Sequence, residues 1–390
     1  MATTKVNRLL DLTRLVSRAG RPMTGVDRVE FAYLDHLLGA GPLWGLVRTS
    51  LGYALLDHAG CAALRDRLVS GQWGAADRLS RLTRDMHPTR ARAEADVRRL
   101  CLARCLPIRL SAMLRRHLPE GVHYINTGHT NLTERVLSAL RLIHARVAVL
   151  IHDTIPLDHP QYQRPGTVDR FRHFLTRAAR HADLLICNSA QTRADVLRHV
   201  APLRPETVVA LLGVPVPQPG TAPDGPWTKP YFVTLGTIEP RKNHAFLLDL
   251  WPEMDADLLI LGNRGWENHQ VFARLDAGPP RVFELNDLPD DQVFALIQGA
   301  AALLFPSLAE GYGLPPIEAA ALGVPVLCHD LPIYRETLGN IPVYADVSDG
   351  YLWLAKMRYL ADCRQTGNAA PPEFIPPTWE AHFKAVLRLI

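Results

Sequence analysis

The sequence predicts an α/β chain of two open parallel-sheet domains joined by a short linker. Three observations carry the prediction. Short apolar runs such as Val147–His152, Tyr231–Gly236, Leu258–Gly262 and Ala300–Phe305 alternate with helix-length segments. A length of 390 residues with 47% hydrophobic content suits two domains with proper cores better than one. Pro215–Pro230 is dense in proline and glycine, which marks a linker. The expected division is therefore 1–214, a linker at 215–230, 231–376, and a final helix in 377–390.

Composition narrows the function classes. A net charge of +4 is too small to imply nucleic acid. The charge is uneven, however: Arg78 to His117 holds eleven arginines against Asp85, Glu94 and Asp96. A helix with a basic face can rest on anionic lipid, and an ordinary solvated face reads the same way. The six cysteines are scattered, and Cys101 and Cys105 lack the second pair that a zinc site needs. They are expected to be reduced thiols in a cytoplasmic protein. Met1–Asp11 lacks an apolar core of signal-peptide length, and no run of eighteen apolar residues is present to span a membrane.

In the first half, Val6–Leu12 reads as a strand, Ser17–Arg28 as a loop, and the helix after it runs to about Leu38. Pro42–Ala54 holds a strand, and Leu64–Leu118 reads as mostly helical. His123–Asn126 is a strand whose exit loop carries His129, either a cleft-facing group or a turn histidine. Val147–His152 is a strand leading into Asp153. A helix around Thr167–His181 and a strand at Ala182–Asn188 follow. Ser189 is a natural N-cap for Gln191–Val200, and Val208–Leu212 closes this half.

In the second half, the strand Tyr231–Gly236 runs into Thr237-Ile-Glu-Pro-Arg-Lys-Asn243 and a helix. Arg241 and Lys242 thus leave the carboxyl end of a parallel strand, where a diphosphate would need neutralising. Leu258–Gly262 is the next strand, with Asn263–Trp266 leaving it. Val282–Glu284 follows, and Leu285–Pro289 leads into the helix Asp290–Gln298.

The stretch Phe305–Val326 organises the rest. A strand ends at Phe305, a glycine-bearing turn follows, and a short helix runs from near Pro315 to Gly323. Proline suits a first helical turn and glycine the position past the last. Glu310, Gly311, Tyr312 and Gly313 then lie at the ligand-binding edge of a parallel sheet. The amides near Leu314 begin a helix, which favours an anion. Glu310 and Glu318 frame that anion site, and as carboxylates they suit hydroxyls. A sugar nucleotide offers both phosphate and hydroxyl groups.

Glu310 and Glu318, separated by seven residues within E-G-Y-G-L-P-P-I-E and flanked by F-P-S and G-V-P-V, resemble the E-x7-E signature of the family 4 glycosyltransferases. Gly236-Thr-Ile-Glu-Pro-Arg-Lys-Asn243 is similar to that family's second motif. The likeness covers roughly Tyr231 to Val343, together with 6–31 and 147–200, and leaves 43–118 poorly matched.

The resemblance implies a GT-B fold, two Rossmann-like domains facing a central cleft, with the last helix crossing back onto the first domain. It implies retaining, metal-independent transfer of a hexose, mannose or rhamnose favoured, from a nucleotide diphosphate sugar. The acceptor would be a saccharide or lipid-linked saccharide in surface polysaccharide synthesis. Apart from the resemblance, the arginine-rich stretch makes peripheral contact with the inner face of the membrane a further expectation. By the same likeness, Glu310 and His152 meet the transferred sugar and Arg241 and Lys242 the diphosphate. Glu318 holds the ribose, and Leu288 lies near the base. Gly25, Gly236, Gly262, Gly311, Tyr312, Gly313 and Leu314 complete the donor set. Asp153 is expected to orient His152 or a nearby loop. Asp255-Ala-Asp257 matches the metal-binding D-x-D of GT-A enzymes, but it precedes its strand and reads as a capping or loop pair. No cofactor is implied. A sugar-nucleotide epimerase, a phosphorylase and a non-catalytic sugar-nucleotide scaffold are the alternatives.

Overall fold

Two sheets, built from the apolar runs, form the framework. The computed structural model describes residues 6–82, 86–228, 230–367 and 373–390. Asp85 of the arginine-rich stretch and Lys229 of the linker lie outside these, as do residues 1–5.

Among the described residues, the first sheet comprises β1 (Arg8–Asp11), β2 (Leu43–Thr49), β3 (Gly52–Leu56), β4 (Ala103–Cys105), β5 (His123–Asn126), β6 (Arg146–Ile151), β7 (Leu184–Cys187) and β8 (Thr207–Val209). Their order is β4-β3-β2-β1-β5-β6-β7-β8. The second comprises β9 (Tyr231–Leu235), β10 (Asp257–Leu261), β11 (Val282–Leu285), β12 (Leu303–Phe305), β13 (Val326–Cys328) and β14 (Val343–Tyr344), ordered β11-β10-β9-β12-β13-β14. Every pairing in the second sheet is parallel. In the first, only β3 against β2 and β4 against β3 are antiparallel. Strands β7, β10 and β12 are buried along their whole length. That is why they read as continuous apolar runs: helices cover both faces, so alternation has no advantage.

Strand order reverses once in each sheet, between β1 and β5 and between β9 and β12. Such reversals open a crevice at the carboxyl ends of the strands. Glu310 follows β12, at the second reversal, and His152 follows β6, one strand away from the first.

Three local expectations need correction or refinement. The strand expected within Pro42–Ala54 is a hairpin, because Gly52–Leu56 turns back and pairs with β2. The helix expected after Arg28 starts at Gly25. Thr24 and Asp27 form a capping box, with the Thr24 amide donating to Asp27 at 2.8 Å. Leu64–Leu118, expected to be mostly helical, carries the end of His58–Ser70 and the helices Pro88–Leu100 and Leu110–His117, but strand β4 interrupts it.

Several arginines in and beside that region are occupied. Arg98 pairs with Asp77 at 2.7 Å, Arg90 with Glu94 at 3.1 Å, and Arg67 and Arg99 with Asp96 at 2.9 and 2.6 Å. Glu94 and Asp96 are buried, and a buried carboxylate requires a cation or hydrogen bonds. Part of the charge therefore builds structure, while Arg104 and Arg109 are exposed.

The final helix, Trp379–Val386, is capped by the Thr378 hydroxyl and packs on the helix Gly25–Ala40 of the first domain. His382 makes the junction. Its Nδ1 is 3.0 Å from the Leu211 carbonyl, which can only accept, so Nδ1 carries the proton. Nε2 then accepts the Tyr33 hydroxyl at 2.7 Å. Burial pushes this imidazole down to about 4, so it stays neutral.

Candidate active site

The loops leaving β9 and β12 are fastened to each other before any side chain enters the cleft. The Leu308 amide donates to the Arg241 carbonyl at 2.8 Å, and the Arg241 guanidinium donates to the Ala309 carbonyl at 2.9 Å. This brings the two cations against Glu310. Its carboxylate lies 2.6 Å from Lys242 Nζ and 2.8 Å from Arg241 Nη1. Glu239, which sequence reasoning passed over, pairs with Arg241 at 2.5 Å.

The group is a buried cluster of two cations and two carboxylates. Burial alone would raise Glu310, but Arg241 and then Lys242 outweigh it and hold the carboxyl at about 2. Burial draws Lys242 below its ordinary value, only partly offset by Glu310, and Lys242 also lies 4.3 Å from the centre of the Phe305 ring. Burial raises Glu239.

After Glu310 the chain reaches Gly313, at φ +86°, where an added Cβ would come within 2.6 Å of the Tyr334 ring. Only glycine fits that turn, and it starts the helix Leu314–Ala321 with Pro315 and Pro316 in its first turn. Glu318 lies on this helix, buried. Burial raises its pKa, and Arg28 from the first domain opposes the rise. Arg28 Nη1 is 2.8 Å from Glu318 and its Nη2 is 2.8 Å from Asp290. Arg28 and Asp290 were not singled out from the sequence. The available signal was position: Arg28 follows Gly25 by three residues, which puts both on one helix face.

The first domain closes the other side. Gly25 faces Leu314, whose Cδ1 would lie 3.1 Å from an added Cβ. Gly311 is pressed against Asp153 and the His152 carbonyl. His152 Nε2 is 2.6 Å from the Thr127 carbonyl, so Nε2 carries the proton and Nδ1 is the ring's acceptor. Burial pushes His152 down to about 4. Asp153 does not orient His152; its carboxylate accepts the Ile155 amide at 3.0 Å and so shapes the loop. His129 is a structural histidine, with Nε2 2.9 Å from the Leu150 carbonyl.

Not every nominated donor residue turns toward the cleft. The Tyr312 hydroxyl donates to the Leu212 carbonyl at 2.8 Å, so that buried side chain ties the domains together and only its backbone is left for a ligand. Gly236 adjoins Lys242, and Gly262 adjoins the Gly236 backbone. Leu288 is half-buried beside the core. Asp257 is buried and accepts the Thr228 amide at 2.6 Å, while Asp255 pairs with Arg281, in keeping with a capping and loop pair.

Two cavities flank the Glu310–Glu318 segment. One, about 480 Å³, is lined by Gly25, Arg28, Asp290, Leu314 and Glu318. The other, about 300 Å³, is lined by Asp153, Asp158, Gln191, Arg198 and Glu310. The arrangement can stabilise an anion, hold hydroxyls on carboxylates, and admit a second hydroxyl compound next to Glu310.

Residues 223–342 match the family described as glycosyl transferases group 1. The chain is 34% identical over 227 residues to the serotype-specific mannosyltransferase WbdA of Escherichia coli, a match covering 51% of this chain and 28% of that protein. It is 33% identical over 127 residues to the O-antigen chain mannosyltransferase B of Escherichia coli, covering 30% of this chain and 33% of that one. The chain thus spans about a third or less of the length of these relatives. Anabaena HepE, solved in complex with UDP-glucose, superposes with a TM-score of 0.62 at 12% identity over 97% of this chain and 95% of that one. Sucrose-phosphate synthase from Thermosynechococcus elongatus gives a TM-score of 0.56 at 16% identity over 73% and 76%. The fold shared with these structures is GT-B.

Proposed function

We propose, from the premise that residues 223–342 form a glycosyl transferases group 1 domain, that the chain is a retaining hexosyltransferase of polysaccharide synthesis. Mannose, the sugar named for the Escherichia coli relatives, is the favoured hexose. The observation that carries the reading is the buried Arg241–Lys242–Glu310 cluster at the crevice between β9 and β12. Two fixed cations beside a helix N-terminus suit a leaving diphosphate, because the charge develops where the dipoles already point. They can do so without a metal, and we adopt that reading.

In this reaction the bond from the anomeric carbon to the diphosphate oxygen breaks while a bond to the acceptor oxygen forms on the same face. The acceptor proton passes to the departing phosphate, so no separate base is assigned. Glu318 takes ribose hydroxyls, and His152 Nδ1 accepts a hydroxyl of the transferred sugar. The saccharide acceptor enters the cavity shared by Glu310, Asp158 and Gln191. Its carboxylates favour a neutral hydroxyl compound over an anionic one.

The test is binding of GDP, UDP, dTDP and ADP, with and without magnesium, followed by transfer from the matching nucleotide-mannose. Preference for one base without a magnesium requirement, then retained anomeric configuration, is the expected result. Failure to bind any of the four would overturn the reading.

A lipid-linked acceptor calls for contact with a membrane, and one surface suits it. No helix among the described residues is long and apolar enough to cross a bilayer. Strand β4, at the outer edge of its sheet, points Leu102, Arg104 and Leu106 to one side, as strand alternation requires. Leu106 and Ile108 are 62% and 82% exposed, and Arg104 and Arg109 beside them are exposed as well. Apolar side chains among cations fit an anionic lipid surface. The protein is expected to sediment with anionic vesicles at low salt, and Leu106→Asp with Ile108→Asp to abolish this. Equal sedimentation of the double variant would remove the assignment of this surface.

A further inference from the structure

We infer that Arg28 is a donor-binding residue: its guanidinium exchanges Glu318 for the donor diphosphate, so that the first domain supplies a cation to the leaving group. The inference rests on the transferase reading above. Three observations lead to it.

The first is charge balance. Arg241 and Lys242 already face Glu239 and Glu310, so that cluster is neutral within itself. Arg14 and Arg18 are both spent on Asp27, at 2.6 and 2.7 Å. A diphosphate entering there brings negative charge that the cluster alone does not cancel.

The second is competition. Arg28 is held by two carboxylates of the opposite domain, each at 2.8 Å. The Asp290 side chain is 67% exposed, and so screened a pair contributes little. Glu318, 8% exposed, is the firmer partner. It is also the carboxylate assigned to the ribose. Arg28 occupies one oxygen of Glu318, Oε1, and a ribose diol that engages both oxygens of the carboxylate displaces it.

The third is reach. Glu318 lies four residues after Leu314, about 6 Å along the helix axis. That is within the swing of one arginine side chain, whose fork matches phosphate in a bidentate manner. Arg28 and Leu314 line the same cavity, so the path between them is open.

The experiment compares wild type with Arg28→Met and Arg28→Lys, measuring affinity at low salt for the nucleoside diphosphate that wild type binds best and for its parent nucleoside. Arg28→Met is expected to weaken the diphosphate by about tenfold or more, the loss of a charge-assisted bond to phosphate. The nucleoside should bind as well or better, because Glu318 has lost its competitor. Arg28→Lys should recover part of the diphosphate affinity. Unchanged diphosphate affinity in Arg28→Met would overturn the inference. So would an equal loss for both ligands, which marks Arg28 as a structural tie only. Melting curves show whether each variant folds; if Arg28→Met does not, a diphosphate-selective loss in Arg28→Lys supports the inference and a common loss overturns it. Wild type binding no nucleoside diphosphate would instead strike the transferase reading itself.

Discussion

Glu310→Gln is expected to cut hexosyl transfer by roughly two to three orders of magnitude, the scale seen when one preorganised electrostatic contact is lost. Glutamine keeps the shape and removes the charge. Lys242 Nζ at 2.6 Å and Arg241 Nη1 at 2.8 Å then lose the carboxylate that fixes them, and their aim at a leaving diphosphate loosens. Removing one partner of a buried pair costs about 3–5 kcal/mol when nothing replaces it. The cost here should fall below that range, since Glu239 still holds Arg241 at 2.5 Å and the amide remains polar. The melting temperature should therefore drop while the fold survives.

The same pair gives a pH signature. Glu310 is held at about 2 against an ordinary 4.5, so its stabilisation is present above about 4.5 and is lost as pH falls toward about 2. The melting gap between wild type and Glu310→Gln should close as the buffer is acidified through that window. Steady-state rates and melting curves at several pH values check both statements. Wild-type turnover in the variant would sink the assignment of this cluster as the site.

Gly262→Ala is expected to destabilise the second domain by roughly 2–6 kcal/mol, the sum of backbone strain and overpacking. Gly262 has φ +146°, a conformation that L side chains rarely adopt. An added Cβ would come within 2.2 Å of the Gly236 carbonyl oxygen. Backbone would meet backbone, between two strands registered from Asp257↔Tyr231 to Leu261↔Leu235, and neither side has a rotamer to give. Denaturant unfolding measures the loss. The likeness to known enzymes suggested Gly262 as a donor contact, and the two roles separate cleanly. A variant that unfolds like wild type but binds nucleotide poorly would favour the donor role over the folding one.

What was legible follows from how local each signal is. The strands Val147–His152 and Tyr231–Gly236, the Ser189 cap, and the turn from Glu310 to Leu314 are written in consecutive residues. The structure places each within a residue or two. Asp255-Ala-Asp257 was legible too, from which end of a strand it occupied. The hairpin at Leu43–Leu56 was not, because Ser50-Leu51 is not one of the Asn-Gly-type pairs that mark a two-residue hairpin and the run looks like one strand. The arginines around Arg98 misled for a related reason. A helix with many arginines looks basic until Asp77, Glu94 and Asp96 are seen folded against it.

The chain's order of apolar runs, with its proline and glycine punctuation, was enough by itself for two α/β domains and for the edge of the second sheet that carries Arg241, Lys242, Glu310 and Glu318. The apolar run of a strand and the start of a helix are set mainly by consecutive residues. Tertiary structure alone decided which charges meet. Arg28 finds Glu318 across 290 positions of sequence, Tyr312 turns from the cleft to Leu212, and Glu239 joins the cluster that sequence reading left at three. Coulomb attraction and hydrogen bonding act through a few ångströms of space, and nothing in Thr24-Gly-Val-Asp-Arg28 marks which distant carboxylate the fold will bring within that distance.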